Sequence, residues 1–341
     1  MITELLNRLI GEWSTETQKA GLNLKGPLFA LKASEARVKD RKINFFVFDH
    51  NSHEPVVLMK LARTSSYEQR LRDEYRALNK VVTLKTLSHT TPFPIGLFDY
   101  CNHVVLIEQC LPGDPLSVLL RRHKRNGRDQ MHQDISRAMN WLLTFQEGTR
   151  AETVLFEGSA VVEAALNLLK MRHNGKQLAD DFTQNLFQLA VEFTGLAIPR
   201  TASHGDFWPG NVLMNDSKIG VIDWDYFEPD QFPFNDAFLF ITSYARTYPW
   251  QSWRWASRKE AFAHAFLEKN WFSQLMKETI TDYLQELGIP EKSISLFYAL
   301  FLMEMASTDQ GLDRDQQQSK RWMEFLDLYA GNWKTSIFYT K

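Results

Sequence analysis

Short apolar runs rich in Phe and Val, divided by polar turns, mark residues 27–31, 43–49 and 56–61 as successive strands. A helix is predicted over about 66–82. A second strand pair follows at 94–100 and 103–109, with Cys101 and Asn102 as its turn. LPGDPL, residues 111–116, then breaks the pattern with two prolines and a glycine. Beyond it, apolar positions recur at three- to four-residue spacing, as at Ile135, Met139, Leu142 and Leu143, and predict helices near 129–147, 160–173 and 176–196. Another helical series is expected near 235–246, 257–269, 272–286, 291–305 and 316–329. This order predicts an α+β chain. Residues 1–110 form a small β-rich lobe with one long helix, and 111–341 a larger, mainly helical lobe, with a ligand-sized cleft between them.

Composition narrows the function classes. The 341 residues are 44% hydrophobic and 23% charged, ordinary for a globular chain long enough for two lobes. A net charge of −2 gives no basic bias, so nucleic acid is not an expected partner, and the basic run at 121–128 reads as a solvated loop. Two cysteines, Cys101 and Cys110, exclude a disulfide framework or a Cys-rich zinc site and are expected to be buried small residues. MITELLNRLIGEW reads as a short amphipathic helix, not a signal peptide, and no run approaches the ~20 apolar residues of a membrane span. Cytoplasm is the expected location.

The chemistry concentrates in residues 203–225, SHGDFWPGNVLMNDSKIGVIDWD. Asp206 and Asn211 flank a tight loop containing Pro209 and Gly210. Two short apolar strands, 212–214 and 219–222, then form a hairpin that delivers Asp223. Oxygen donors gathered at one end of a hairpin suit Mg²⁺ shared with nucleotide phosphates.

His204-Gly205-Asp206, Asn211 and Ile222-Asp223-Trp224 together resemble the signature of the aminoglycoside phosphotransferase and choline kinase family, which has a protein-kinase-like fold. Gly205 stands where protein kinases carry Arg, DWD replaces DFG, and no APE segment follows, all of which favour a small-molecule kinase. The resemblance implies Asp206 as the group that orients or deprotonates the acceptor hydroxyl, and Asn211 and Asp223 as Mg²⁺ ligands. It also implies a bracing role for His204 and a supporting one for Asp236, although Asp236 near a helix start is equally explained as an N-cap.

The same resemblance asks for a lysine in the first lobe. Lys60 ends the apolar run 56–59, and Glu74 lies on the apolar face that Leu71, Tyr75 and Leu78 make, where an unpaired carboxylate is costly. A Lys60–Glu74 ion pair that meets the nucleotide phosphates resolves this. Residues 33–42, ASEARVKDRK, stand where kinases have a glycine-rich phosphate loop, yet hold no glycine. Ser34 by its hydroxyl, and Arg37, Lys39, Arg41 or Lys42 by charge, are the candidates there. The backbone of Gln109, Cys110 and Leu111 is expected to hold the nucleotide base.

The implied reaction uses ATP or GTP with Mg²⁺ and a small-molecule hydroxyl acceptor, a sugar or amino sugar first and a choline- or ethanolamine-like alcohol second. Asp225, Glu228, Asp230, Glu304 and Asp309, and the aromatic residues Tyr248, Trp250, Trp253 and Trp255, are candidate acceptor contacts. The rival reading is a catalytically silent nucleotide-binding pseudokinase scaffold, favoured by the glycine-free loop. An atypical protein kinase is a third, disfavoured by the missing activation segment.

Overall fold

The computed structural model describes residues 2–33, 42–121, 127–215, 218–247, 257–308 and 313–339, with the side chains of 313–318 left aside. The chain opens with helices α1 (Ile2–Ile10) and α2 (Ser14–Lys19). Strands β1 (Leu28–Lys32), β2 (Lys42–Asp49), β3 (Val57–Ala62), β4 (Pro94–Tyr100) and β5 (His103–Gln109) form one antiparallel sheet in the order β1-β2-β3-β5-β4. Helix α3 (Ser65–Val81) falls between β3 and β4.

Alternation along the strands gives the sheet two covered faces. On one, Val57, Met59 and Leu61 join Phe45, Val47, Val105 and Ile107 against Leu5, Leu6 and Leu9 of α1. On the other, Ala62, Val104 and Leu106 meet Tyr67 and Leu71 of α3. Lys60, between Met59 and Leu61, therefore points to the α3 side. Cys101 and Asn102 turn the β4–β5 hairpin with φ of +48° and +62°, the left-handed pair that a two-residue connection requires. That turn corrects one expectation: Cys101 is exposed at the tip, and Cys110 is only half-buried.

Seven short strands follow among the described residues: β6 (Asp114–Pro115), β7 (Thr153–Leu155), β8 (Ala197–Pro199), β9 (Thr201–Ser203), β10 (Val212–Met214), β11 (Ile219–Val221) and β12 (Glu228–Gln231). The backbone divides into one compact unit of residues 1–118, 204–206 and 210–228, and a second of 119–203, 207–209 and 229–341. The boundary expected at residue 110 thus moves, and the hairpin changes sides. The reason is backbone hydrogen bonding. β10 pairs with β6 as well as β11, and the Val221 amide donates to the Thr90 carbonyl at 2.7 Å. Gly113, at φ +123°, allows the close approach of β6, because a Cβ there would lie 3.1 Å from the Met214 carbonyl oxygen.

The second unit is mainly helical. After α4 (Leu116–Arg121), which straddles the boundary, come α5 (Arg128–Gly148), α6 (Gly158–Arg172), α7 (Asp180–Glu192), α8 (Phe234–Thr247), α9 (Arg258–Phe266), α10 (Trp271–Glu286), α11 (Ile294–Ser307) and α12 (Asp313–Asn332). α11 is apolar around most of its circumference and packs against α6, α7, α8 and α12, which makes it the core helix. α7 is shorter than expected, and α11 is preceded by a single 3₁₀ turn, Glu291–Ser293. Gly158 starts α6 directly against α7, where a Cβ would sit 2.0 Å from the Ala190 carbonyl oxygen. Gly158→Ala is expected to lower the unfolding free energy by about 2 kcal/mol, despite the better helix propensity of Ala, because the contact is backbone and cannot give way. Urea unfolding followed by circular dichroism measures this.

Candidate active site

One buried ammonium organises the first unit. Lys60 Nζ lies 2.5 Å from Glu74 Oε1, 2.9 Å from Glu108 Oε1 and 3.6 Å from Asp223 Oδ1. The arrangement follows from register. Lys60 on β3 faces Leu106 on β5, so Glu108, two residues on, shares its face. Glu74 comes from the inner face of α3, three residues after Leu71 and four before Leu78, and all three are fully buried. Glu74 Oε1 also accepts the Trp224 amide at 3.1 Å. Burial opposes the charge on Lys60, but Glu108 and Glu74 outweigh it, so the amine stays protonated well above its ordinary range.

A second lysine completes the cluster. Lys42, the first residue of β2, donates to Asp223 Oδ1 at 2.6 Å, stands 3.9 Å from Asp225 Oδ2, and lies over the Tyr67 ring. Asp225 in turn accepts the Tyr67 hydroxyl at 2.9 Å. Four carboxylates (Glu74, Glu108, Asp223, Asp225) therefore surround two ammonium groups (Lys42, Lys60). The surplus shows in the titration. Burial, with repulsion from Glu74, pushes Glu108 up to about 7 against the pull of Lys60. Burial and repulsion from Asp223 push Asp225 up to about 6. Asp223 behaves oppositely: burial opposes its charge, but Lys42 and Lys60 hold it well below the usual carboxylate range. Buried oxygens on Glu74, Glu108 and Asp225 have no hydrogen-bond partner among the described residues.

The loop before the hairpin is built around Asp206. Asn211 Nδ2 donates to both the backbone carbonyl and Oδ2 of Asp206, at 2.9 and 2.8 Å, which turns the Asn211 carbonyl end away from that carboxylate. His204 is fully buried. Its Nδ1 accepts the Asp206 amide at 3.2 Å, and its Nε2 faces the Ile222 carbonyl at 3.1 Å. One neutral tautomer satisfies both contacts, and burial holds the ring's pKa down to about 4. The ring packs on Trp224. Gly205 has φ +77°, and a Cβ there would lie 2.1 Å from the Tyr226 carbonyl oxygen, so no larger residue fits. Asp223 is itself left-handed at φ +68°, a conformation that Asp tolerates better than most residues.

The other expected residues fare differently. Asp236 is not an N-cap: α8 begins two residues earlier, and the buried carboxylate accepts the Ser203 hydroxyl at 2.9 Å. The Gln109 and Cys110 amides are not available to a base, since they donate to Phe93 and Val56 carbonyls at 2.9 and 3.0 Å as the sheet pairing runs on. The Gln109 side chain donates to the Ala20 carbonyl. Leu111 is buried. Among the acceptor candidates, Asp225 is buried under Lys42 and Tyr67, Asp230 pairs with Arg200 at 2.7 Å, and Glu304 accepts from Asn235. Glu228 is exposed. Ser34, Arg37, Lys39, Arg41, Asp309, Tyr248, Trp250, Trp253 and Trp255 lie outside the described residues. Sequence reasoning did not single out Lys42 from its neighbours and missed Glu108 and Tyr67. A lone acid inside the apolar run HVVLIEQ was the one available signal, for Glu108.

Asp223 and Asn211 could hold a divalent cation. The surplus of carboxylate charge around Asp223 and the partnerless Oδ1 of its neighbour Asp225 fit such an ion, and Mg²⁺ typically takes few protein ligands and keeps others for water and phosphate. Among the described residues no group of three or more His, Cys, Asp and Glu forms a self-sufficient metal cage.

The Glu108 shift carries a stability consequence. Its folded pKa of about 7 lies above the ordinary 4.5, so the folded state binds more protons between those values. The stabilising contribution is complete below pH 4.5 and is lost as pH rises through 7. Glu108→Gln should flatten this slope relative to wild type, by roughly 3 kcal/mol at most. Denaturant midpoints at pH 4.5, 6 and 7.5 check it.

Residues 44–274 match the model of the phosphotransferase enzyme family, APH. No curated protein matches the chain. Among solved structures, it is similar to the GDP complex of a mutant aminoglycoside 2'-phosphotransferase-IIIa at 13% identity, with 94% of this chain and 98% of that one covered and a TM-score of 0.49. Macrolide 2'-phosphotransferase MphH from Brachybacterium faecium shares 14% identity over 95% and 98% of the two chains, with a TM-score of 0.46. Aminoglycoside phosphotransferase APH(3'')-Id from Streptomyces rimosus shares 14% over 95% and 96%, at 0.41. Because the family model spans more than half of its length, the chain belongs to the phosphotransferase enzyme family, whose members phosphorylate small molecules.

Proposed function

We propose that the protein transfers the γ-phosphoryl group of ATP, or GTP, to a hydroxyl of a small molecule. The supporting observation is the meeting of Lys60, Glu74 and Asp223 within one unit, which sets a permanently charged ammonium beside a carboxylate that cannot be protonated at neutral pH. Lys60, held by Glu74 and Glu108, would bind phosphate oxygens. Asn211 and Asp223 would hold Mg²⁺, which neutralises phosphate charge when bound. Asp206 would accept or orient the proton of the acceptor hydroxyl, its backbone fixed by His204 Nδ1 and its carboxylate by Asn211. Positioning and charge, rather than covalent steps, carry this chemistry.

For the acceptor, we favour an amino-sugar or sugar alcohol over a choline- or ethanolamine-like one. Of the acids that follow Asp223, Asp225 and Asp230 are engaged by neighbours, which leaves Glu228 as the exposed carboxylate able to take an ammonium group. Glu228→Gln should raise KM for an amine-bearing acceptor while leaving kcat and the KM for a neutral sugar nearly unchanged.

The assignment of roles separates two variants. Asp206→Ala is expected to lower ADP production across a panel of sugars, aminoglycosides and amino alcohols by about 10³-fold, as loss of a positioned acid–base group does. It should keep the rise in melting temperature that Mg²⁺ and ATP produce. Asp223→Ala should lose that rise as well. An Asp206→Ala protein that still turns over at near the wild-type rate would reject the assignment.

A further inference from the structure

The helical unit holds a half-buried arginine that has no acidic partner among the described residues. Arg246 stands in the last turn of α8, with its guanidinium over the rings of Trp322 and Phe325 on α12, 5.6 and 5.8 Å from their centroids. Its Nε is buried and has no hydrogen-bond acceptor. Among the described residues it makes no ion pair. The charges that act on it are those of Arg258, at the start of α9, and Arg321, on α12, both of the same sign. α9 packs on both α8 and α12, so the three arginines come from three adjoining helices. Glu324, one residue before Phe325, faces Lys259 at 3.8 Å instead.

Desolvating part of a guanidinium without a counter-charge is costly, and a Met of similar length would pack on the same rings without that cost. Aromatic faces attract a cation but neither neutralise it nor accept the buried Nε–H in line. Burial and the two like charges pull Arg246 down to about 10. Three guanidinium groups in a partly desolvated setting are, however, what a multi-oxygen anion binds well. We propose that Arg246, Arg258 and Arg321 bind an oxyanion, a phosphate, sulfate or carboxylate group carried free or on a small molecule, with Trp322 and Phe325 as the floor of the site. Arg258 is exposed, and Arg246 and Arg321 are each half-buried, so all three are reachable from solvent. None of these residues belongs to the nucleotide or metal assignments above, so the two readings fail separately.

The test is thermal melting of the full chain in sodium phosphate, sodium sulfate or sodium citrate, against sodium chloride at matched ionic strength. A saturable rise of about 3 °C or more in one of the oxyanions is expected. Which anion saturates at the lowest concentration distinguishes a phosphate or sulfate ligand from a carboxylate one. Arg246→Met should abolish the rise and, in chloride alone, melt at or above wild type. Arg258→Gln, on the surface, should keep the wild-type melting point in chloride and weaken the anion response at least threefold. Lys60→Met should leave the response intact. No saturable response in wild type, or a response unchanged in both arginine variants, would overturn the proposal.

Discussion

The first unit depends on burying the Lys60 ammonium. A charge only 3% exposed is tolerable only if its hydrogen bonds and its field are met by partners, and here those partners come from separate elements. Glu74 is supplied by the helix that covers the sheet, Glu108 by the adjacent strand, and Asp223 by the segment after the hairpin. Glu74 adds the Trp224 amide to the same oxygen, so one carboxylate ties β3, α3 and the hairpin exit together. Removing it would take one of three carboxylates from the buried ammonium and leave the Trp224 amide without its acceptor.

The same constraint sets the charge state of the cluster. Satisfying a lysine with three acids, and adding Asp225 beside Lys42, leaves the cluster with more carboxylates than cations. Glu108 and Asp225 respond by holding protons to higher pH, while Asp223, nearest to Lys42, remains ionised. Of Glu108, Asp225 and Asp223, the one held most firmly ionised is thus the one that ends the hairpin. Backbone shape fixes where it points: Asp223 is left-handed, and Gly205 lets the preceding loop pass within reach of the Tyr226 carbonyl. Packing of His204 on Trp224 joins the two segments, so the Gly and Trp that distinguish this chain from a protein kinase are both explained by close packing.

Much of this was legible in the sequence. The five strands of the main sheet, α3 and the hairpin lie within a residue or two of their expected bounds, because apolar runs and turn chemistry act locally. The Lys60–Glu74 pair was legible too, since a carboxylate on an apolar helix face demands a partner. Long-range pairing was not. Nothing local tells that β10 pairs with β6 and carries the hairpin into the first unit, or that sheet hydrogen bonds run past β5 and occupy the Gln109 and Cys110 amides. Lys42 sat in a basic run where five cations or hydroxyls looked alike; only the strand register brings it to Asp223. Strands of two to four residues, such as β6, β7 and β12, are too short for any periodicity to show.

In the function proposed above, the Lys60 cluster is the phosphate end of a nucleotide site. Calorimetric titration of ATP with Mg²⁺ into wild type and Lys60→Met tests it most directly. Saturable one-to-one binding is expected of wild type, with a weakening of about 10–100-fold in the variant, the loss expected of a charged hydrogen bond to phosphate. A folded Lys60→Met protein that binds the nucleotide as tightly as wild type would contradict it.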